Sequence, residues 1–221
     1  NEELAIIGFD NIVSTFNKSE SYNQAFIYLL ADALDNNDYI KFDLLINDNK
    51  FSTNDNTIQS YYDNMKSNYY SQKANYFNYH NKSDEALYNS HIAMDYFRNL
   101  DSAGTPLFYY IAIAKYLKGD KESAMESFSK SLKISPYHVG TMINYMILLG
   151  ENNELEKAYA IMLTIKNAYP KMAKPRLDMA KFYIRENQND NAKVILLGLK
   201  ENNLDDGKGT RDQLLLHVRN K

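Results

Sequence analysis

The chain has 221 residues, with 25 Lys+Arg against 28 Asp+Glu, a net charge of -3, 44% apolar residues and no Cys or Trp. That length suits one large domain or one repeat array, and the apolar content excludes a disordered chain. The slightly acidic balance argues against a nucleic-acid binder, which needs a basic surface, and the lack of Cys excludes disulfides, iron–sulfur clusters and a thiol nucleophile. The best apolar runs, Met142–Leu149 and Val194–Leu199, fall far short of the roughly 18 residues of a membrane span. No membrane insertion by this segment is expected. It opens on Asn1 rather than Met, which predicts a processed or truncated piece whose parent is free to carry a membrane anchor.

In chain order, Glu2–Phe16, Ser21–Leu34 and Asp38–Ile46 read as amphipathic helices with polar joints between them. Asn37-Asp38-Tyr39 stands at the turn of a decayed repeat, and Asp48–Thr57 reads as a loop. A long helix follows around Tyr61–Tyr79, and Ala74, Phe77, Ala86 and Ala93 mark a hairpin from about Ser67. After a longer joint around Arg98–Gly104, Phe108, Ile111, Ala112 and Tyr116 form one helical face. Gly119-Asp120 breaks that helix, and Ala124, Phe128, Ser131, Leu132 and Ile134 form the next, ended by Pro136. Met142, Tyr145 and Leu149, a turn at Gly150–Asn153, then Ala158, Met162, Ile165 and Pro170 repeat the pattern. Leu177, Met179, Ala180 and Tyr183, a polar turn at Asn187–Asp190, then Ala192, Leu196 and Leu199 repeat it again. Asp205–Gly209 reads as a flexible joint before a capping helix with Leu214, Leu215 and Val218.

The spacing decides the fold. Ala124, Ala158 and Ala192 lie 34 residues apart, as do Pro136 and Pro170. That period is the period of the tetratricopeptide repeat, a helix–turn–helix unit of about 34 residues. The expected fold is all-α, a right-handed solenoid of about 11–12 helices. Its expected parts are a degenerate N-terminal region over 1–60, repeats at about 67–104, 105–138, 139–172 and 173–204, and a capping helix over 205–221. The alanines are expected where paired helices cross most closely, with Phe128 filling the gap to the next repeat.

Catalytic chemistry finds no foothold in this pattern. His80, His91, His138 and His217 lie on different repeats without a metal-ligand spacing, and no phosphate-binding loop or serine elbow occurs. No cofactor, metal or catalytic residue is predicted. Tyr62, Tyr69 and Tyr76, seven apart, with Met65 and Tyr79, read as inter-helix core, the alternative being a stacking platform for a sugar or peptide. The 27 asparagines read as composition rather than polar contacts to a glycan.

A protein or peptide partner is expected in the groove formed by the first helix of each repeat. The candidate residues are Tyr109, Ile113, Tyr116 and Leu117, then Ile143, Ile147 and Glu151, then Lys174, Leu177, Lys181 and Arg185. Apolar at one end and basic at the other, the set suits an extended peptide or helix with acidic character. The alternative is that several of them pack inward and only the basic trio is open. The chaperone-binding members of the tetratricopeptide family grip a carboxylate through a Lys/Asn/Asn/Lys/Arg clamp. Tyr109, Ile113, Asn144, Lys174 and Asp178 stand in its place here, and Asp178 would repel such a ligand.

Two segments carry a narrower resemblance: Leu100-Asp101-Ser102-Ala103-Gly104-Thr105-Pro106-Leu107-Phe108-Tyr109-Tyr110 and Ser135-Pro136-Tyr137-His138-Val139. They resemble the "GTP" and "NPYH" turns in the soluble C-terminal repeats of O-antigen ligase/polymerase-like membrane proteins of Bacteroidota, with Ser135 replacing the Asn. The likeness covers about residues 95–200 and implies a periplasmic or cell-envelope location, with catalytic residues in a membrane portion outside this segment. Three functions follow as expectations: a non-catalytic interaction scaffold in a cell-envelope assembly, the periplasmic part of a membrane glycan transferase, or a cytoplasmic peptide-sensing regulator.

Overall fold

The computed structural model describes residues 20–47, 51–97, 99–170, 172–199 and 208–219. The helix expected over residues 2–16 lies outside them, as does most of the joint expected over 205–209. Eleven helices run through the described residues: α1 (Glu20–Asp35), α2 (Tyr39–Asn47), α3 (Asn56–Tyr79), α4 (Ser83–Tyr96), α5 (Leu107–Leu117), α6 (Lys121–Ile134), α7 (Val139–Glu151), α8 (Leu155–Ala168), α9 (Ala173–Arg185), α10 (Asn189–Leu197) and α11 (Lys208–Arg219). Among those residues the only strand-like pairing is an isolated bridge between Leu100 and Pro106. The fold is all-α, built of tetratricopeptide-like helix hairpins.

The hairpins are set by their turns. One residue with positive φ joins each helix to the next in α1–α2, α3–α4, α5–α6, α7–α8 and α9–α10: Asn37 (55°), Asn81 (57°), Gly119 (84°), Asn153 (60°) and Asn187 (57°). An L-residue in this left-handed region crowds its Cβ against the backbone, and Gly and Asn bear that best. At each of the four asparagines the following N–H bonds back to a carbonyl five residues earlier: Asp38 to Ala33, Lys82 to Phe77, Glu154 to Leu149 and Gln188 to Tyr183, at 2.7–2.8 Å. This is the Schellman arrangement, which satisfies carbonyls that the helix end would otherwise leave bare. The asparagine content is therefore partly structural, which composition alone had not indicated.

Counting five residues on from each turn reaches Phe42, Ala86, Ala124, Ala158 and Ala192, every one of them buried. Counting nine reaches Ile46, Ser90, Phe128, Met162 and Leu196, also buried. The same offsets from the turn are thus buried in each unit, the N-terminal hairpin included.

Contacts divide the chain into two compact units, Asn1–Lys118 and Gly119–Lys221. In the first, α3 and α4 bury mostly small side chains, Ser67, Ser71 and Ala74 on one and Ala86, Ser90 and Ala93 on the other. The Ser67 hydroxyl donates to the Ala93 carbonyl at 2.9 Å, so the helices cross at near backbone distance. The α1–α2 hairpin is filled by aromatics instead: Phe42 stacks on Tyr69 at 4.2 Å, and Phe51 lies between Phe26 and Tyr62 at 5.4 and 4.2 Å. The tyrosine stripe of α3 is core only in part. Tyr69 is buried and Tyr62 and Met65 pack against the same cluster, whereas Tyr76 and Tyr79 are 51% and 85% exposed. Tyr76 lies about 10 Å further along the helix than Tyr69, beyond the cluster that covers Tyr62 and Tyr69.

In the second unit, Met142, Met146 and Leu149 of α7 meet Ala158, Met162 and Ile165 of α8. Leu177 and Ala180 of α9 meet Ala192 and Leu196 of α10, and Val218 of α11 joins that cluster. Phe128 of α6 is buried and stacks on Tyr145 of α7 at 6.0 Å, next to a buried Ser131–Thr141 hydroxyl pair at 2.7 Å. Several expected joints differ at their edges: Asn56 and Thr57 open α3, and Asn189 and Asp190 open α10. Lys208 and Gly209 begin α11 rather than precede it, and Gly150 and Glu151 close α7, leaving only Asn152–Glu154 as the turn.

Two substitutions test this register in urea or guanidinium denaturation. Phe128→Ala is expected to cost about 3–5 kcal/mol, the range for removing a buried Phe. A loss under about 1 kcal/mol would be incompatible with its position. Asn153→Gly should leave stability unchanged, whereas Asn153→Ala should cost about 1–2 kcal/mol because alanine resists the left-handed conformation. Equal stability of the two variants would contradict the turn.

Candidate functional site

The expected groove residues fall into both units. Tyr109, Ile113 and Tyr116 lie on α5 in the first, all half-buried. Ile147 on α7 and Lys174, Lys181 and Arg185 on α9 lie in the second, where the two helices meet. Leu177, placed with them by spacing, is buried in the α9–α10 core and presents no surface. The remaining α9 positions follow helical spacing, with Lys174, Asp178, Lys181 and Arg185 exposed or half-exposed along one face.

Close approach at the end of α7 creates the contact with α9. A Cβ on Gly150 would lie 2.3 Å from Cε2 of Phe182 and 2.5 Å from Nη2 of Arg185, so only glycine fits. Phe182 is buried and its ring meets Tyr159 and Tyr183 edge-on. Burial in that cluster, with Tyr159 adding to it, pushes the Tyr183 phenol up. The Arg185 guanidinium lies over the Phe182 ring at 5.2 Å, and Nη2 donates to the Ile147 carbonyl at 3.2 Å. Its charge is met by Glu186 at 3.3 Å and by Glu151 at 3.8 Å, while Glu151 also pairs with Lys121 at 2.9 Å.

The basic trio is therefore not uniformly open. Arg185 is held by two carboxylates, a carbonyl and a ring, and Lys181 pairs with Asp178 at 3.1 Å. Lys174 has no ion pair among the described residues. What the surface offers is half-buried Ile143 and Ile147 on α7 and a row of charges on α9, of which Lys181 and Arg185 are already paired. Asp178, at the position where the carboxylate clamp has a cation, is taken up by Lys181.

The two turn segments serve the fold. Asp101 accepts from the N–H groups of Ala103 (2.9 Å) and Thr105 (2.8 Å) through one oxygen and from the Tyr110 hydroxyl (2.6 Å) through the other. Burial first, and then the Asp101 carboxylate, push the Tyr110 phenol up. Gly104 supplies the positive φ of this turn, at 79°. In the second segment His138 caps α7, its Nδ1 accepting from the Thr141 N–H at 3.2 Å. The other histidines serve no cluster: rings of His80 and His91 bond the carbonyls of Tyr76 and Leu87. Among the described residues no group of three or more His, Asp or Glu is placed to hold a metal ion, and no helix is long and apolar enough to cross a membrane.

The roles of Gly150 and Asp101 were missed from sequence. A glycine two residues before Asn152-Asn153 reads as part of the turn, and no spacing rule links Asp101 to Tyr110.

No protein-family profile and no curated protein matches the chain. Three solved structures are similar to it in part. Residues 41 to the end of MamA from Desulfovibrio magneticus RS-1 share 17% identity at a TM-score of 0.49, covering 70% of this chain and 94% of that one. A double mutant of MamA RS-1 shares 15% identity at 0.48, covering 70% and 95%. The tetratricopeptide domain of P58(IPK) shares 14% identity at 0.32, covering 97% and 73%. The hairpin register itself rests on this chain's own turns.

Gly150→Ala is expected to destabilise the chain by about 1–3 kcal/mol, the usual cost of forcing atoms into a filled interior. Denaturant midpoints measure this, and an unchanged midpoint would mean that α7 and α9 do not approach as described.

Proposed function

We propose that the chain is a non-catalytic scaffold that binds a protein partner along the α7/α9 face of its second unit. The observation that carries this reading is the half-buried Ile147 of α7 with Arg185 of α9 bonded to its carbonyl, Lys174 and Lys181 following on the same face of α9. Apolar side chains flanked by pre-positioned charges suit an amphipathic helix or extended peptide that supplies its own apolar anchors and a carboxylate. Fixed charges are favourable here, because a side chain already held by neighbours loses little freedom when a partner arrives.

The same proposal puts the scaffold in a cell-envelope assembly, on the strength of the segments at Leu100–Tyr110 and Ser135–Val139. A periplasmic portion of a membrane glycan transferase is the narrower form of that reading. A parent reading frame with about ten apolar spans before Asn1 supports the narrower form, and a lone signal sequence counts against it.

The test uses the chain immobilised against an extract of its native host. Lys174→Glu with Lys181→Glu, both at exposed positions, should reduce capture of the retained partner about tenfold or more, the effect of losing about 1.4 kcal/mol. The melting temperature should stay unchanged. Undiminished capture would remove this face from the proposal.

A further inference from the structure

The first unit contains a cleft of about 460 Å³, within the roughly 300–1,000 Å³ typical of ligand sites. It lies between α2, α3 and α4. Its apolar wall is Tyr70, Phe77 and Ile92, and Tyr88 stands at its side with 67% of its surface exposed. Three carboxylates line it, Asp43, Asp84 and Glu85, against one lysine, Lys73.

The carboxylates are not equivalent. Asp43 pairs with Lys73 at 3.2 Å, and Lys73 also donates to the Tyr69 hydroxyl at 2.9 Å. Burial, then that same Asp43, push the Tyr69 phenol up, so this corner is occupied and fixed. Asp84 pairs with Lys118 at 2.5 Å, with the two side chains 80% and 44% exposed. Such a solvated pair exchanges readily for an incoming cation. Glu85 has no ion pair among the described residues. It sits in the first turn of α4. One residue turn away, Tyr88 presents an open ring beside it. Lys82 lies over the Phe77 ring at 5.9 Å.

We propose that this cleft binds a basic segment of a partner protein, with an arginine side chain pairing with Glu85 and lying against the Tyr88 ring. A planar guanidinium suits both contacts at once, donating two hydrogen bonds to the carboxylate along its edge and stacking its plane on the aromatic face. Lysine would make the first contact and profit less from the second. The inference is independent of the α7/α9 face, which lies in the other unit and has its own variants.

The experiment is fluorescence anisotropy on the full chain with a labelled nonapeptide of alternating Arg and Ser, and the same peptide with Glu in place of Arg. The variants are Glu85→Gln with Tyr88→Ala, both at exposed positions, and Glu122→Gln as a charge-matched control on the second unit. The arginine peptide should bind and the glutamate peptide should not. The cleft variant should weaken binding by about tenfold or more and the control by less than about twofold. The proposal is overturned if the arginine peptide does not bind, if the control weakens it as much as the cleft variant, or if the cleft variant leaves it unchanged. It is equally overturned if a neutral oligosaccharide such as maltohexaose, rather than the peptide, shows the dependence on Glu85 and Tyr88.

Discussion

Everything in this molecule depends on reversing the chain within one residue. A helix that ends in a left-handed Asn or Gly returns its successor antiparallel and in fixed register, because the Schellman bonds at Asn37, Asn81, Asn153 and Asn187 leave little freedom in the turn. Once the turn is fixed, the residue five positions later must face the preceding helix. Ala86, Ala158 and Ala192 occupy that place and are buried. Small side chains there are the consequence of close crossing and not its cause. The α1–α2 hairpin keeps the turn and puts Phe42 at the same position, with Tyr69 stacked against it to fill the wider gap.

That substitution explains which parts of the fold could be read from sequence. The three alanines at a spacing of 34 made the last three hairpins legible, and Ala86 extended the pattern at a longer spacing. The first hairpin was visible only as helices around a polar joint, since a pattern written in alanine does not detect phenylalanine. Its real signature is Asn37, which resembles any other polar loop residue until its φ is known. The tyrosine stripe misled in the opposite way. A seven-residue spacing marks one face, but the α1–α2 cluster covers that face only as far as Tyr69 and Tyr70, which leaves Tyr76 in water. Gly150 read as a turn residue because glycine usually is one, and only the position of the Phe182 ring identifies it as a helical contact.

The candidate surfaces were less legible still, for an electrostatic reason. Sequence spacing places Lys174, Lys181 and Arg185 on one face, but says nothing about which carboxylates reach them. Glu151 comes from α7 and Glu186 from the residue following Arg185, so the free charge is much smaller than the count of cations. The acidic cleft of the first unit has the converse character. Asp84 and Glu85 look like helix-start residues, which they are, and only the packing of α2 beside α3 and α4 brings Asp43 and Tyr88 to the same space.

The departures from a 34-residue period point the same way. Between Asn37 and Asn81 the spacing is 44, and α3 alone spans 24 residues against 13 for α7 and α9. The additional turns at its start carry Tyr62 and Met65 onto the α1–α2 core, and Lys66, whose ammonium lies 4.2 Å over Tyr96 and 5.0 Å over Tyr62. Burial works against the Lys66 charge, yet the bond to Tyr96 and the surrounding tyrosines outweigh it and raise its pKa. Between Asn81 and Gly119 the spacing is 38, and the extra residues form the Asp101 turn locked by Tyr110. Both insertions are thus consumed by internal packing.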